Sequence, residues 1–212
     1  LAMHLAESAE EDEMFRQGSG AMYEMMASAG RDMSDCGKKS PLAHAASFGV
    51  LNDRLLGIHG NYLNDADIQT LADCGASLAH CPRSHRYFNH AAFRFDDLES
   101  AGVNICLGTD SLATMSEKDA KLELFSEMRL FRELHPDVPV GNILRMLATK
   151  SAAALGMKGV VGEIAADAFA DLTVIPFDGP QDSAESTVID HVGVVQKVMI
   201  DGQWHYSPTS SA

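Results

Sequence analysis

The sequence predicts an α/β fold, namely part of a TIM-type (β/α)8 barrel followed by a small β-domain. Short apolar runs alternate with helical segments through about residue 157, which indicates βαβ units and a parallel sheet. Several of these runs end in a side chain that can bind a metal or transfer a proton. Barrel enzymes carry their active sites at the C-terminal strand ends, so these side chains are expected to converge.

Four strands are predicted in the first part, ending near residues 5, 59, 81 and 109. Ser8, followed three residues later by Glu11, is a capping-box signal that starts a helical stretch reaching about residue 29. Further helices are predicted over 41–49, 65–74, 94–101, 117–134 and 139–155. The 117–134 segment is the most clearly amphipathic, with one apolar face formed by Leu122, Phe125, Met128 and Phe131.

The character of the chain changes near Gly159. Residues 160–164, 171–176, 192–200 and 203–206 are strand-like, and no helix is predicted among them. This tail is therefore expected to be a small β-domain, or one part of a β-domain whose other strands lie elsewhere. Trp204 is expected in its core.

Length and composition exclude several classes of protein. The 212 residues, 46% of them hydrophobic, can bury a core but are short for a barrel of about 250 residues; since the first residue is Leu, we expect a longer polypeptide. The net charge of −14 argues against nucleic acid and anionic membranes as partners. No apolar stretch approaches the roughly 18 residues of a membrane span. Four cysteines without a CxxC pair are typical of free thiols in a reducing compartment, so a cytoplasmic protein is predicted.

Five motifs occur in a characteristic order. They are His-Leu-Ala-Glu at 4–7, a lone His at 59, His-Cys-Pro-Arg-Ser at 80–84, Leu-Gly-Thr-Asp-Ser at 107–111 and Leu-Phe-Ser-Glu-Met-Arg at 124–129. Together they resemble the second half of an amidohydrolase-superfamily enzyme, in the branch of aminohydrolases and chlorohydrolases acting on purines, pyrimidines and triazines. The sequence His-Cys-Pro-Arg-Ser-His-x-Tyr-Phe at 80–88 resembles the form of this segment found in deaminases of modified adenosines, such as S-adenosylhomocysteine and aminodeoxyfutalosine deaminases.

The resemblance also implies a domain organisation. Residues 1–157 would be the C-terminal half of a metal-dependent hydrolase barrel, comprising strands 5 to 8 of the (β/α)8 fold. Residues 158–212 would be the C-terminal part of a small β-sandwich domain. The family carries a His-x-His pair at the end of barrel strand 1. No such pair occurs in this chain, so it would belong to a missing N-terminal half of the same polypeptide.

The resemblance assigns roles to four residues. His4 would be a metal ligand, Asp110 a ligand and proton acceptor, His59 a partner of the hydrolytic water, and Glu7 the proton shuttle to a ring nitrogen. One divalent metal is implied, with Zn²⁺ preferred and Fe²⁺ or Mn²⁺ as alternatives, because neutral imidazole and carboxylate bind these ions. Structural alternatives stay open, since Asp110 could cap a helix and Glu7 could be a first-turn carboxylate.

A second group of polar residues is expected to bind substrate. Those that follow the third strand could stack on a heterocycle or hydrogen-bond a ribose, and another follows Asp110; they are Arg83, Ser84, His85, Tyr87 and Ser111. The alternative is that 83–90 is a surface loop with aromatic anchors. Glu123 and Glu127 are expected to be carboxylates on a helix face.

The resulting hypothesis is an enzyme that hydrolytically deaminates an adenine-type ring, in a modified nucleoside, by a metal-activated water. The partner of this enzyme would be a small heterocyclic substrate. The enzyme is also expected to form a homo-oligomer. One alternative is another heterocycle hydrolase of the superfamily, such as a guanine or cytosine deaminase or a triazine chlorohydrolase. The other is an inactive fragment or interaction module that lacks the His-x-His pair, and the isolated chain is itself expected to be inactive.

Overall fold

Four parallel strands form the central sheet of this computed structural model, which describes residues 1–115 and 121–206. The strands are β1 (Ala2–Leu5), β2 (Leu56–His59), β3 (Ser77–His80) and β4 (Asn104–Leu107), and they lie side by side in chain order. Leu5 pairs with His59, and His80 pairs with Leu107. The C-terminal ends are therefore nearly level. The predicted α/β class with a parallel sheet is confirmed.

Nine α-helices connect or flank these strands in the described part of residues 1–157. They are α1 (Ala9–Gln17), α2 (Ala21–Ser28), α3 (Pro41–Ala46), α4 (Asp65–Cys74), α5 (Pro82–Phe88), α6 (Phe95–Ser100), α7 (Leu124–Leu134), α8 (Val140–Leu147) and α9 (Thr149–Ala154). Polar side chains fix several of their starts, since the oxygens of Ser8, Ser40 and Asn64 accept from the first-turn amides of α1, α3 and α4. None of the helices described is long and apolar enough to cross a membrane.

Three predictions about these helices need correction. The segment 83–90 is mostly helix α5 and not a loop, because Pro82 at the first helical position presets the backbone angle. The predicted helix 139–155 is interrupted at Ala148 and so forms α8 and α9. The described part of the 117–134 helix begins at Leu124, with 116–120 outside the described residues. Leu122 is exposed, whereas Met128 and Phe131 are fully buried.

The core lies between the sheet and the helices that cover it. Leu78 and Ile105, on the two adjacent strands β3 and β4, are completely buried. Phe131 of α7 meets Phe95 of α6 edge to face at a centroid distance of 5.1 Å, a preferred geometry for aromatic pairs. This apolar packing holds α7 against α6 and the sheet.

The tail differs from the prediction. Its antiparallel strands are β5 (Leu172–Val174), β6 (Lys197–Ile200) and β7 (Gln203–Tyr206), whereas 160–164 contains no strand. The expectation of an all-β tail was wrong, because α10 (Ala184–Asp190) packs on α7 and α8 with Ile189 fully buried. The expectation for Trp204 was also wrong, since this side chain is 51% exposed with Lys197 Nζ 5.2 Å from its ring centroid. The division at residues 157 and 158 stays a prediction.

The buried position of Ile189 gives a test of how the tail is attached. We expect Ile189→Ala to lower the free energy of unfolding by about 2–5 kcal/mol, because it removes buried methyl groups and leaves a cavity. The nearby Val192 is 76% exposed, so Val192→Ala should change the free energy of unfolding by about 0.5 kcal/mol or less. Chemical denaturation of both variants measures the difference. Equal effects of the two substitutions would mean that α10 does not pack on α7 and α8 in solution.

Candidate metal centre

The C-terminal ends of the strands bring His4, His59 and Asp110 together. One ligand atom from each lies within 4.8 Å of the other two. His4 Nε2 is 4.0 Å from Asp110 Oδ1, and the His4 and His59 rings stack at a centroid distance of 5.1 Å. Glu7 joins this group, since its Oε1 lies 3.5 Å from His59 Nε2. The four residues singled out in the sequence thus form one cluster.

His59 is the buried member of this cluster. Its side chain is 1% exposed, and its Nε2 has no hydrogen bond with the part of the chain that the structure describes. Burial lowers the pKa of His59 below its ordinary value, although the charges of Glu7 and Asp110 oppose this change. A buried ring nitrogen without a hydrogen bond is costly, so this atom is available to a ligand that enters the cluster.

The chain turns sharply at these strand ends. Ala6, His59 and Asp110 have φ angles of 50°, 75° and 55°, in the left-handed region that costs a non-glycine residue roughly 1–2 kcal/mol. Hydrogen bonds from the loop after β2 hold the turn after β1: Gly60 N donates to Leu5 O and Tyr62 N to Ala6 O, each at 3.0 Å. These bonds fix His59 relative to the His-Leu-Ala-Glu segment.

Two polar side chains hold the backbone of Glu7 from opposite sides. Glu11 Oε2 accepts from Glu7 N at 2.7 Å, and its Oε1 accepts from Ala6 N at 3.1 Å. On the other side Asn61 Nδ2 donates to Glu7 O at 3.0 Å. The predicted capping box is therefore only half formed: Ser8 Oγ accepts from Glu11 N, but the Glu11 carboxylate bonds to the turn that carries Glu7. The sequence pattern did not reveal these positioning roles.

Asp110 is held from the side of β3. Ser84 is completely buried, and its hydroxyl donates to Asp110 Oδ2 at 2.7 Å.

The amide of Arg83 donates to Glu127 Oε2 at 3.0 Å. Glu127 is completely buried, so the expectation of a helix-face carboxylate was wrong. Burial raises the pKa of Glu127 to about 7. A usable signal was its place beside Met128 and one turn before Phe131, on the apolar side of α7.

The other predicted substrate residues lie in different surroundings. His85 is 9% exposed and its Nδ1 is 3.0 Å from Asn61 Oδ1; burial lowers the pKa of His85 to about 4. Arg83 Nη1 donates to Lys121 O at 2.7 Å. Tyr87 is half exposed, and Ser111 is exposed with its Oγ accepting from Ala113 N. These contacts leave the substrate role of all four residues a prediction.

A group of imidazoles beside α5 was missed by the sequence reasoning. A cavity of about 290 Å³ is bordered by His80, His85, His90 and His135. His80 is buried and stacks on Phe93 at a centroid distance of 3.8 Å, and burial lowers its pKa far below the usual value. Because these side chains come from separate elements, only the fold reveals the group.

A parallel α/β sheet with histidines and carboxylates at its C-terminal strand ends is the arrangement of barrel proteins that bind a catalytic metal. The chain belongs to the amidohydrolase family, whose model matches residues 1–205. It is 32% identical over 178 residues to a 5-methylthioadenosine/S-adenosylhomocysteine deaminase of Pyrococcus abyssi, covering 82% of this chain.

Solved structures show the same fold. An adenosine deaminase of Xanthomonas campestris with bound zinc matches 97% of this chain and 45% of its own, with a TM-score of 0.78 and 27% identity. The aminofutalosine deaminase of Helicobacter pylori matches 97% of this chain and 52% of its own, with a TM-score of 0.80 and 21% identity. The chain spans only 37% of the length of the Pyrococcus relative.

The raised pKa of Glu127 predicts a pH dependence of stability. The folded-state pKa of about 7 lies above the ordinary value of 4.5, so the folded protein holds this proton more tightly than the unfolded chain. The protonated Glu127 therefore contributes to the free energy of unfolding fully at low pH. This contribution, on the order of 3 kcal/mol in all, is lost as the pH rises from about 5 to about 8. Glu127→Gln, which cannot ionise, should not show this loss.

The measurement is the free energy of unfolding of both proteins between pH 5 and 8, in the presence of a chelator. The control is Glu133→Gln, since the Glu133 side chain is on the same helix and is 65% exposed. Its pH profile should match that of the wild type. Parallel profiles for wild type and Glu127→Gln would contradict the assignment of a raised pKa.

Proposed function

We propose that the protein containing this chain hydrolytically deaminates the adenine-type ring of a modified nucleoside. The observation that carries the proposal is the cluster of His4, Glu7, His59 and Asp110 at the strand ends. The Pyrococcus relative is a 5-methylthioadenosine/S-adenosylhomocysteine deaminase, which supports an adenine-type substrate. The reaction makes the protein a hydrolase acting on C–N bonds. The acidic net charge of −14 supports a cytoplasmic enzyme, and a homo-oligomer is our expectation.

The residues fit a divalent metal. His4 Nε2 and Asp110 Oδ1 lie 4.0 Å apart, so one ion can lie between them with each atom about 2.0–2.2 Å away. His59 belongs to the same cluster, and its Nε2 has no hydrogen bond within the described residues. Zn²⁺ is our first choice, supported by the zinc in the Xanthomonas structure, with Fe²⁺ or Mn²⁺ as alternatives. A divalent ion bound here supplies a Lewis acid that lowers the pKa of water toward roughly 7.

The side chains around the ion would then move the protons. The Asp110 carboxylate accepts a proton from the attacking water, which His59 orients, and Glu7 delivers a proton to the ring nitrogen. The water oxygen forms a bond to the carbon that carries the amino group, and the exocyclic C–N bond breaks. Of the two water protons, one ends on the ring nitrogen and the other leaves with ammonia.

The finer assignments extend the same proposal. We take β1–β4 as barrel strands 5 to 8 and residues 158–212 as the C-terminal part of a β-sandwich domain. Tyr87, which is exposed on α5, would stack on the heterocycle, while Arg83, His85 and Ser111 would contact the rest of the substrate. For Ser84 we favour a positioning role over the predicted substrate contact, since its hydroxyl donates to Asp110.

Ammonia release from the full-length protein tests the function. We expect ammonia from 5-methylthioadenosine, S-adenosylhomocysteine, adenosine or aminofutalosine, and none from guanine or cytosine. The isolated 212-residue chain should be inactive in the same assay. Chloride released from a chlorinated triazine would favour the chlorohydrolase alternative. A metal-loaded protein that releases ammonia from no adenine derivative would contradict the proposal.

Replacement of Glu7 tests its role in proton transfer. Glu7→Gln should lower kcat by roughly 10²–10⁴-fold, the usual contribution of a general acid–base group, while metal affinity stays unchanged. Glu10→Gln is the matched control, because Glu10 is exposed in the first turn of α1. A kcat for Glu7→Gln within threefold of the wild-type value would exclude the proton-shuttle role.

A further inference from the structure

We propose that Glu127 and Ser84 are positioning residues that jointly fix the orientation of the Asp110 carboxylate. Their effect is to engage one carboxylate oxygen and leave the other for a divalent cation. The inference rests on the proposed function insofar as Asp110 is taken as a metal ligand. It assigns a purpose to the buried Glu127, which the deamination mechanism itself does not use.

The two oxygens of Asp110 have different partners. Oδ2 accepts the Ser84 hydroxyl at 2.7 Å, whereas Oδ1 faces His4 Nε2 at 4.0 Å. Ser84 is completely buried, so its hydroxyl cannot readily exchange this bond for one to bulk water. The carboxylate therefore presents Oδ1 toward the imidazoles.

The position of Ser84 depends in turn on how α5 begins. Pro82 has no amide hydrogen, so Arg83 N is the first backbone donor of this helix, and it donates to Glu127 Oε2 at 3.0 Å. Glu127 belongs to α7, whose core packing fixes it from the other side. Without this acceptor a largely buried amide next to Ser84 would lose its hydrogen bond, and the start of α5 would have to shift.

The contacts between α5 and α7 include a matched pair at opposite ends. Glu127 meets the first turn of α5, next to Ser84, while Glu133 Oε1 accepts from Arg86 in its last turn at 2.8 Å. The second contact is exposed, with Arg86 and Glu133 side chains 52% and 65% accessible. A merely structural role in holding the two helices together applies to both contacts. Of these two contacts, only the one made by Glu127 would also position Asp110.

Cobalt binding separates these roles without any substrate. Co²⁺ is titrated into the full-length metal-free protein, and both Kd and the visible d–d spectrum are recorded. Ser84→Ala and Glu127→Leu should each raise the Kd for Co²⁺ about 10–100-fold, as is typical when a partner of a ligand is removed, and should alter the spectrum. Glu127→Gln should stay within threefold, because its amide oxygen still accepts from Arg83 N. Glu133→Leu should bind Co²⁺ like the wild type.

Combining the variants tests whether they act through the same carboxylate. Ser84→Ala with Glu127→Leu should bind Co²⁺ no more weakly than Ser84→Ala alone, since residues in one network are not additive. Additive losses, or a folded Glu127→Leu variant with wild-type affinity, would overturn the inference. If Glu127→Leu does not fold, Glu127→Met takes its place, and wild-type affinity in Ser84→Ala overturns the inference by itself.

The outcomes also separate this inference from the proposed function. A protein that shows the expected order of Co²⁺ affinities but releases no ammonia supports the positioning role and refutes deamination. A wild-type protein that binds no Co²⁺ overturns the positioning role. Ammonia release with unchanged Co²⁺ affinity in every variant supports the function and overturns the inference.

Discussion

The level pairing of the parallel strands is the constraint on which the candidate metal centre depends. Because Leu5 lies opposite His59 and His80 opposite Leu107, the chain leaves adjacent strands at nearly the same height. Parallel pairing also requires a long connection after each strand, and those connections supply the groups that surround the centre. A shift of one residue in β2 would turn His59 to the opposite face of the sheet. The buried core of β3 and β4 opposes such a shift.

The centre is built at a cost to stability. Ala6, His59 and Asp110 occupy left-handed backbone conformations, and the buried Nε2 of His59 lacks a hydrogen-bond partner among the described residues. Such features persist only where the surrounding structure holds them. Glu11 and Asn61 provide that support for the turn after β1, and Ser84 provides it for Asp110. These contacts hold the turn and the carboxylate from within the chain, which is the general requirement for a precise site.

The sequence predicts the strands and their terminal residues better than the support around them. Each strand is a local apolar run; His59 is the last residue of β2, and Asp110 follows β4 within a few residues, so local pattern is sufficient. Glu127 was misjudged because its burial depends on α5, which lies about forty residues earlier in the chain and cannot be read from the periodicity of one helix. The helix α10 was missed for a related reason: it is short, has no side-chain cap, and is stabilised by packing against α7 and α8.

The electrostatics of the centre favour a cation over a further negative charge. Burial lowers the pKa of the His59 imidazole, and the negative charges of Glu7 and Asp110 beside it oppose that change only in part. Burial, with a smaller contribution from the Asp110 charge, raises the pKa of Glu127, so the site already disfavours ionisation of a third carboxyl group. A divalent cation held by Asp110 would offset this repulsion, so the arrangement that disfavours a further negative charge favours binding of the metal.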